Sequence, residues 1–216
     1  MYNGRVTVAG PADVHELGDL VISKLAVGPY NNNTYLLRCR SDGRQVLIDA
    51  AAEPERILDL IGADGIDLIV TTHRHPDHWQ ALEAVQRATG APTVAHVADA
   101  PGIPVATDLL LNDGDRVFVG SCYLEAIHLV GHTPGSIALL YDDPEGPPHL
   151  FTGDCLFPGG VGKTNSPEDF DSLYLGVKAR VFDALPDETW VYPGHGWDTT
   201  VGAERPHLAE WFDRKW

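Results

Sequence analysis

Apolar residues recur along this chain in two rhythms, alternate positions in some stretches and every third or fourth position in others, which predicts strands interleaved with helices. Leu20 to Val27, Thr34 to Arg38 and Gln45 to Asp49 alternate or run apolar with Gly punctuation between them, as strands of a hairpin meander would. Pro54 stands where a first helical turn begins, and Ile57, Leu58 and Ile61 form an apolar stripe ending at Gly62. Asp67-Leu-Ile-Val-Thr-Thr72 is too short for a helix and rich in β-formers, so a strand is expected there. Leu82, Val85 and Thr89 outline a second helix that Gly90 stops. Between Asp108 and Tyr141, Asn112-Asp-Gly114, Gly120 and Gly131 break the chain into several short strands, and His149 to Thr152 adds another. Ser166-Pro-Glu-Asp169 has the composition of a capped helix start, with Phe170, Leu173, Val177 and Val181 as the buried stripe. Thr189 to Tyr192 reads as a strand, and Leu208, Trp211 and Phe212 mark a short amphipathic helix after Pro206. Asn31-Asn-Asn33 is expected to turn, because Asn tolerates left-handed backbone.

Histidine is unevenly placed on this frame. Of ten histidines, five fall with two aspartates in four clusters: His73, His75, Asp77 and His78, then His132, Asp154 and His195, each of the last three in a Gly-containing turn. His73 and His75 sit at the end of an expected strand, where residues two apart can face one ion. Asp77 and His78 follow Pro76, where a helix can begin, and can reach a neighbouring point. One short stretch can therefore serve two ions. Imidazole and carboxylate donors suit zinc, with iron and manganese as competitors. A lone histidine is more often a hydrogen-bonded structural side chain, but the count and spacing here point to a hydrolytic metal site. Cys155, beside Asp154, is expected in the core, because adjacent residues leaving a strand point to opposite sides. His128 is read as a strand residue, and no motif surrounds His15, His96, His149 or His207.

On these motifs the chain resembles the metallo-β-lactamase-fold superfamily, and within it the glyoxalase II-like (hydroxyacylglutathione hydrolase-like) thioester hydrolases. The resemblance runs from Asn31-Asn-Asn-Thr-Tyr-Leu-Leu37 through Gly131-His-Thr-Pro-Gly-Ser136 and Thr152-Gly-Asp-Cys-Leu-Phe157 to Tyr192-Pro-Gly-His-Gly196. It implies an α/β fold, a four-layer αββα sandwich, in which His73, His75 and His132 hold a first metal, Asp77, His78 and His195 a second, and Asp154 bridges them. Two close divalent ions would supply hydroxide near neutral pH for attack on a carbonyl carbon. Asp77 would serve as a ligand and, in a second role, relay a proton to the leaving group. Gly160-Val-Gly-Lys163 resembles the glyoxalase II loop whose lysine contacts the carboxylate of a thiol-derived substrate, which makes Lys163 the candidate anion clamp. Tyr192 to Gly202 resembles the glyoxalase-type ending, whereas persulfide dioxygenases of this fold usually carry Ala-His-Asp-Tyr there. The sequence departs from the glyoxalase II pattern in ending 21 residues after His195, without the longer C-terminal helical region. It also has Trp79-Gln80 in place of small residues and Leu129-Val130 in place of Thr-Pro. Trp79 is expected either to wall the substrate groove or to open its helix.

Composition narrows the rest. With 216 residues, 44% of them hydrophobic, and no Pro/Ser/Gly-rich linker, the chain reads as a single domain over 1–216. No apolar run reaches signal-peptide or membrane-spanning length, and three widely spaced cysteines suit a reducing compartment, so a soluble, cytoplasmic protein is expected. A formal charge of −16 argues against nucleic acid as a partner. Bound cations would still leave the site positive and receptive to an anionic small substrate. Association with further copies of the chain stays open. The leading expectation is a binuclear hydrolase of a thioester or related small acyl compound. The alternatives are a mononuclear iron persulfide dioxygenase-like oxidoreductase and a lactonase or β-lactamase-type hydrolase. A metal-stabilised binding protein without turnover would be expected to lack at least one ligand, and none is lacking.

Overall fold

Side-chain alternation decides which layer each strand residue enters. The computed structural model describes residues 2–215. Its first sheet holds seven strands in chain order: β1 (Asp13–Glu16), β2 (Leu20–Val27), β3 (Asn32–Cys39), β4 (Gln45–Ile48), β5 (Leu68–Val70), β6 (Thr93–His96) and β7 (Leu109–Leu111). The remaining strands are β8 (Arg116–Val119), β9 (Cys122–His128), β10 (Ile137–Tyr141), β11 (His149–Gly153), β12 (Leu156–Phe157), β13 (Gly160–Val161), β14 (Trp190–Pro193) and β15 (Thr199–Thr200). Six of them form the second sheet in the order β15-β14-β11-β10-β9-β8, and β12 pairs with β13 as a separate hairpin. Five helices accompany them: α1 (Pro54–Ile61), α2 (Leu82–Thr89), α3 (Pro167–Val177), α4 (Val201–Glu204) and α5 (Leu208–Arg214).

Tyr35, Leu37, Val46 and Ile48 point between the sheets and meet Leu124, Ile137, Leu139 and Phe151. Their neighbours Leu36 and Leu47 turn the other way, with Ile69, onto Ile57 and Ile61 of α1 and Leu82 and Val85 of α2. On the far side Ala138, Leu150 and Val191 face Phe170, Leu173 and Val177 of α3 and Trp211 of α5. The period of two along each strand therefore builds three apolar layers and the expected αββα sandwich. Burying one such Leu, Ile or Phe stabilises by about 1.5–3 kcal/mol, so these interfaces hold the fold.

The helix ends follow local rules. Gly62 and Gly90 end α1 and α2 with φ of 67° and 71°, and Ser166 caps α3 by accepting from the Asp169 amide at 3.1 Å. Elsewhere tertiary pairing changes the expectation. Only Asn31 takes the left-handed turn, at φ 55°, because Asn32 and Asn33 pair with Val27 and Ala26 as the first residues of β3. Trp79 neither lines the large groove described below nor opens a helix. It follows a short 3₁₀ turn (Pro76–His78), packs half-buried against the α1–α2 core, and donates its indole N–H to the Arg74 carbonyl at 2.9 Å; α2 begins at Leu82. Val181 is buried as expected but lies beyond α3 in a π-helical turn, and Phe212 is 41% exposed rather than part of the core. Among the described residues no helix is long and apolar enough to cross a membrane.

Parallel pairing positions the site. β4 runs parallel to β5 and β11 to β14, so each pair delivers the loops that follow its strands to one rim. There the two sheets are joined by a bridge between Asn32 and His195, and by the Ile137 amide donating to the Thr72 carbonyl at 3.1 Å.

Candidate metal centre

All seven residues singled out by spacing converge at that rim. His73, His75 and His132 form one group able to hold an ion, Asp77, His78 and His195 another, and Asp154 joins His73 and His78 in a third that links them. In the first group His73 Nε2 lies 3.0 Å from His75 Nδ1 and 3.2 Å from His132 Nε2, and His75 Nδ1 lies 2.8 Å from His132 Nε2. Ligand atoms held tetrahedrally about 2.0–2.1 Å from one ion stand about 3.3 Å apart. The nitrogens are therefore spaced as a shared cation requires, with a slight contraction.

The far nitrogens show which lone pairs are free. His132 Nδ1 faces the Lys163 carbonyl at 2.7 Å and His195 Nδ1 the Tyr30 carbonyl at 2.9 Å, so both must donate there and both present Nε2 to the centre. His78 Nδ1 meets Asp49 Oδ2 at 2.8 Å, which likewise turns its Nε2 inward. The Thr72 hydroxyl donates to the same Asp49 oxygen at 2.8 Å and is left to accept from His73 Nδ1 at 3.1 Å. Asp154 lies between the groups: Oδ2 is 3.6 Å from His132 Nε2 and 3.4 Å from His195 Nε2, and Oδ1 is 3.3 Å from His78 Nε2. That Oδ1 is buried with no hydrogen-bond partner among the described residues, a costly state for a carboxylate that a cation would relieve. Donor set, spacing and orphaned oxygen all fit two adjacent divalent ions. Gly194 lets the chain pass close to two of these residues, since a Cβ there would fall 2.2 Å from Asp154 Oδ1 and 2.7 Å from His78 Cε1.

Protonation divides the site. Burial, followed by repulsion from His78, holds His73 well below the usual histidine value, and burial lowers His75 and His132 as well. Burial also acts to lower His78, but Asp154 and Asp49 outweigh it and hold that ring well above 6.5. His195, lowered by burial and raised by hydrogen bonds to Asp154 and Asp77, ends at about 9. The hydrogen bond from His195 keeps the Asp77 carboxyl ionised far below its ordinary range. Burial opposes ionisation of Asp154, yet His78 and His195 hold it well below as well.

Several residues unmarked by any motif do the positioning. Asp49 takes a left-handed φ of 57° and accepts from the Thr72 amide at 2.7 Å as well as from the groups above. The signal for it was an aspartate closing the apolar run Val46-Leu-Ile48. Asn32 donates to Asp77 Oδ2 at 3.0 Å, and Asn33 donates to the Pro193 and Gly196 carbonyls at 2.8 and 2.9 Å, flanking His195. Lys24, fully buried, donates to Gly4 O and Gly196 O, each at 2.8 Å, and pairs with Asp198 at 2.6 Å. Cys155 points into the core among Leu156, Phe170 and Leu173, and its buried thiol is raised above the ordinary value. His128 ends β9 and stacks on His96 with centroids 3.8 Å apart, away from the centre.

The centre opens into a groove of about 700 Å³ lined by Tyr30, His75, Asp77, Gln80, His132, Asp154, Lys163, Asn165 and His195. Lys163 is exposed at its rim and also borders a smaller cavity of about 290 Å³, which Phe157, Pro158 and the Gly159–Gly162 backbone of the β12–β13 hairpin enclose against His132 and Asp154.

Comparison with known proteins agrees with this geometry. The chain is 34% identical over 180 residues to a hydroxyacylglutathione hydrolase of Polaromonas sp. (strain JS666), an alignment covering 82% of this chain and 66% of that protein. It thus spans about two thirds of that relative's length. Among solved structures, ETHE1 from Myxococcus xanthus superposes with a TM-score of 0.77 at 29% identity, over 89% of this chain and 84% of that one. TTHA1623 in a di-iron-bound form superposes with a TM-score of 0.71 at 32% identity, over 84% and 96%. The model of the metallo-beta-lactamase superfamily matches residues 27–195, a span that includes all seven converging residues, and the chain belongs to that superfamily.

Proposed function

We propose that this protein is a binuclear metal-dependent hydrolase of an anionic thioester or related small acyl compound. The observation that carries this reading is the pair of adjoining ligand groups linked by Asp154, with a free buried oxygen between them. His73, His75 and His132 would hold one ion, Asp77, His78 and His195 the other, and Asp154 both. Zinc suits this donor set, and iron or manganese are accepted by the same atoms. When bound, two such ions polarise a carbonyl oxygen and supply a water-derived nucleophile near neutral pH.

The chain's own groups do the rest. The open groove admits the acyl carbon beside Asp154, and the β12–β13 cavity, walled by Phe157 and Val161, takes the apolar part of the acyl group. The Lys163 ammonium at the rim binds a carboxylate of the thiol portion, away from the reacting carbon. A carbon–oxygen bond forms as the carbon–sulfur bond breaks. Asp77, held ionised, serves first as a ligand; in its second role it would take the proton that the attacking water gives up and relay that proton to the departing sulfur as negative charge develops there. The relative named as a hydroxyacylglutathione hydrolase supports this substrate class.

A mononuclear iron oxidoreductase is the second reading. What favours single occupancy is that nearby carboxylates raise His78 and His195, so that an ion in the second group would have protons to displace. Lys163→Ala separates substrate contact from metal binding. Steady-state kinetics on the metal-loaded protein should show KM for an anionic thioester raised about tenfold with kcat nearly unchanged, the loss of one charge-assisted contact. An unchanged KM would remove Lys163 from the substrate site.

A further inference from the structure

Asp99 belongs to none of the ligand motifs, yet it touches both loops that carry the first ligand group. It is fully buried, just before a 3₁₀ turn (Ala100–Gly102) that follows β6. One oxygen, Oδ2, accepts from the amide of Arg74, the residue between His73 and His75, at 3.0 Å. The same oxygen accepts a short hydrogen bond from the hydroxyl of Thr133, next to His132. Oδ1 accepts from the Gly135 amide at 2.8 Å, with the Arg74 guanidinium Nε at 3.9 Å. Packing is as close as the hydrogen bonding. A Cβ on Gly135 would sit 2.6 Å from the Asp99 amide nitrogen, and one on Gly102 would sit 2.7 Å from Arg74 Cδ. The turn is therefore wedged between two loops whose Arg74 and Thr133 are 59 residues apart in the chain.

We infer that Asp99 is a positioning residue that sets the spacing of His73, His75 and His132 by clamping the His73–His75 loop to the His132 loop. This rests on those three residues being the first ion's ligands. The physical case is that ligand geometry is fixed by the groups behind the ligands, and a backbone amide between two histidines is as direct a handle as their far nitrogens. One carboxylate that receives donors from both loops keeps them from moving apart. Among the described residues every hydrogen bond to its carboxylate comes from one of those two loops, and an acid at this depth is costly unless its lone pairs are so used.

The test is cobalt(II) binding to the purified full-length chain, by titration against a competing chelator and by the visible d–d spectrum, on wild type, Asp99→Asn and Thr133→Val. Wild type should bind two ions. Asp99→Asn should weaken one of them by about 10- to 100-fold and alter its spectrum, leaving the other near its wild-type affinity. Thr133→Val, which deletes one donor and keeps the volume, should show the same change at a few-fold and decides the matter if Asp99→Asn does not fold. Two ions bound with wild-type affinity and spectrum in a variant that merely melts at lower temperature would overturn the assignment and leave Asp99 as packing. Wild type that binds no cobalt would instead overturn the metal-centre reading beneath it.

Discussion

His132 has one carboxylate oxygen nearby, Asp154 Oδ2 at 3.6 Å, whereas His78 has Asp49, Asp154 and Asp77 within 2.8, 3.3 and 3.7 Å. The two halves of the centre use the same side-chain types in opposite electrostatic settings. In the first, burial and mutual repulsion keep three imidazoles neutral with lone pairs aimed at one point. In the second, carboxylates hold protons on His78 and His195, which a cation must displace. From this difference the two ions are expected to bind unequally even though both ligand groups are geometrically complete. The supports differ too. The first half is clamped by buried Asp99 between two loops, and the His195 side of the second is held through backbone carbonyls by buried Lys24 and by Asn33.

The largest effect is expected from removing the residue that the two halves share. Asp154→Ala should weaken both ions and take thioester turnover to background while circular dichroism still reports a folded sandwich. Retained activity with two bound ions would contradict the bridging role.

Lys24→Met should act on one side only. It removes the cation that pairs with the buried Asp198 carboxylate and one of the two side-chain donors to the Gly196 carbonyl, costing about 3–5 kcal/mol in urea unfolding. It should also loosen the ion that contacts His195 more than the ion on His73, His75 and His132. Equal weakening of both would mean that the two supports are not separate.

A pH series sharpens the contrast with the smallest perturbation. A ring whose free value is raised to about 9 competes with metal at every pH below that, so the second ion's affinity should rise as pH goes from 7 to 9. The size is about tenfold per unit for each proton displaced, or roughly hundredfold from His195 alone over that range. The first triad lies below 6.5 when free, so its ion should show little change over the same range. Isothermal titration in buffers of different ionisation enthalpy would count the protons released at each step.

Much of this was legible in the chain. Strand β2 and helices α1 and α2 lie where apolar period and Gly stops put them, and Ser166 caps α3 as its motif required. The seven converging residues were legible because metal ligation demands particular side chains at close spacing, which chance seldom supplies. Illegible were groups whose role depends on partners far along the chain: Asp49 with His78, Asp99 with Thr133, Lys24 with Gly196. A lone aspartate or lysine carries no local pattern to announce such partners. Asn32 and Asn33 misled for the same reason, since strand pairing with β2 and bonds to Asp77 and Pro193 override their turn preference. β1 was missed because its four residues, two half-buried and two exposed, carry no apolar alternation.

Two ions sharing one site and together hydrolysing a thioester is the chemistry proposed for this centre. Metal content per chain, determined on protein purified without added metal and followed by a thioester hydrolysis assay on the same sample, tests it most directly. Two divalent ions per chain are expected, zinc foremost, with cleavage that a strong chelator removes and added metal restores. One iron per chain with no cleavage, even after a second metal is supplied, would contradict it and put the mononuclear oxidoreductase in its place.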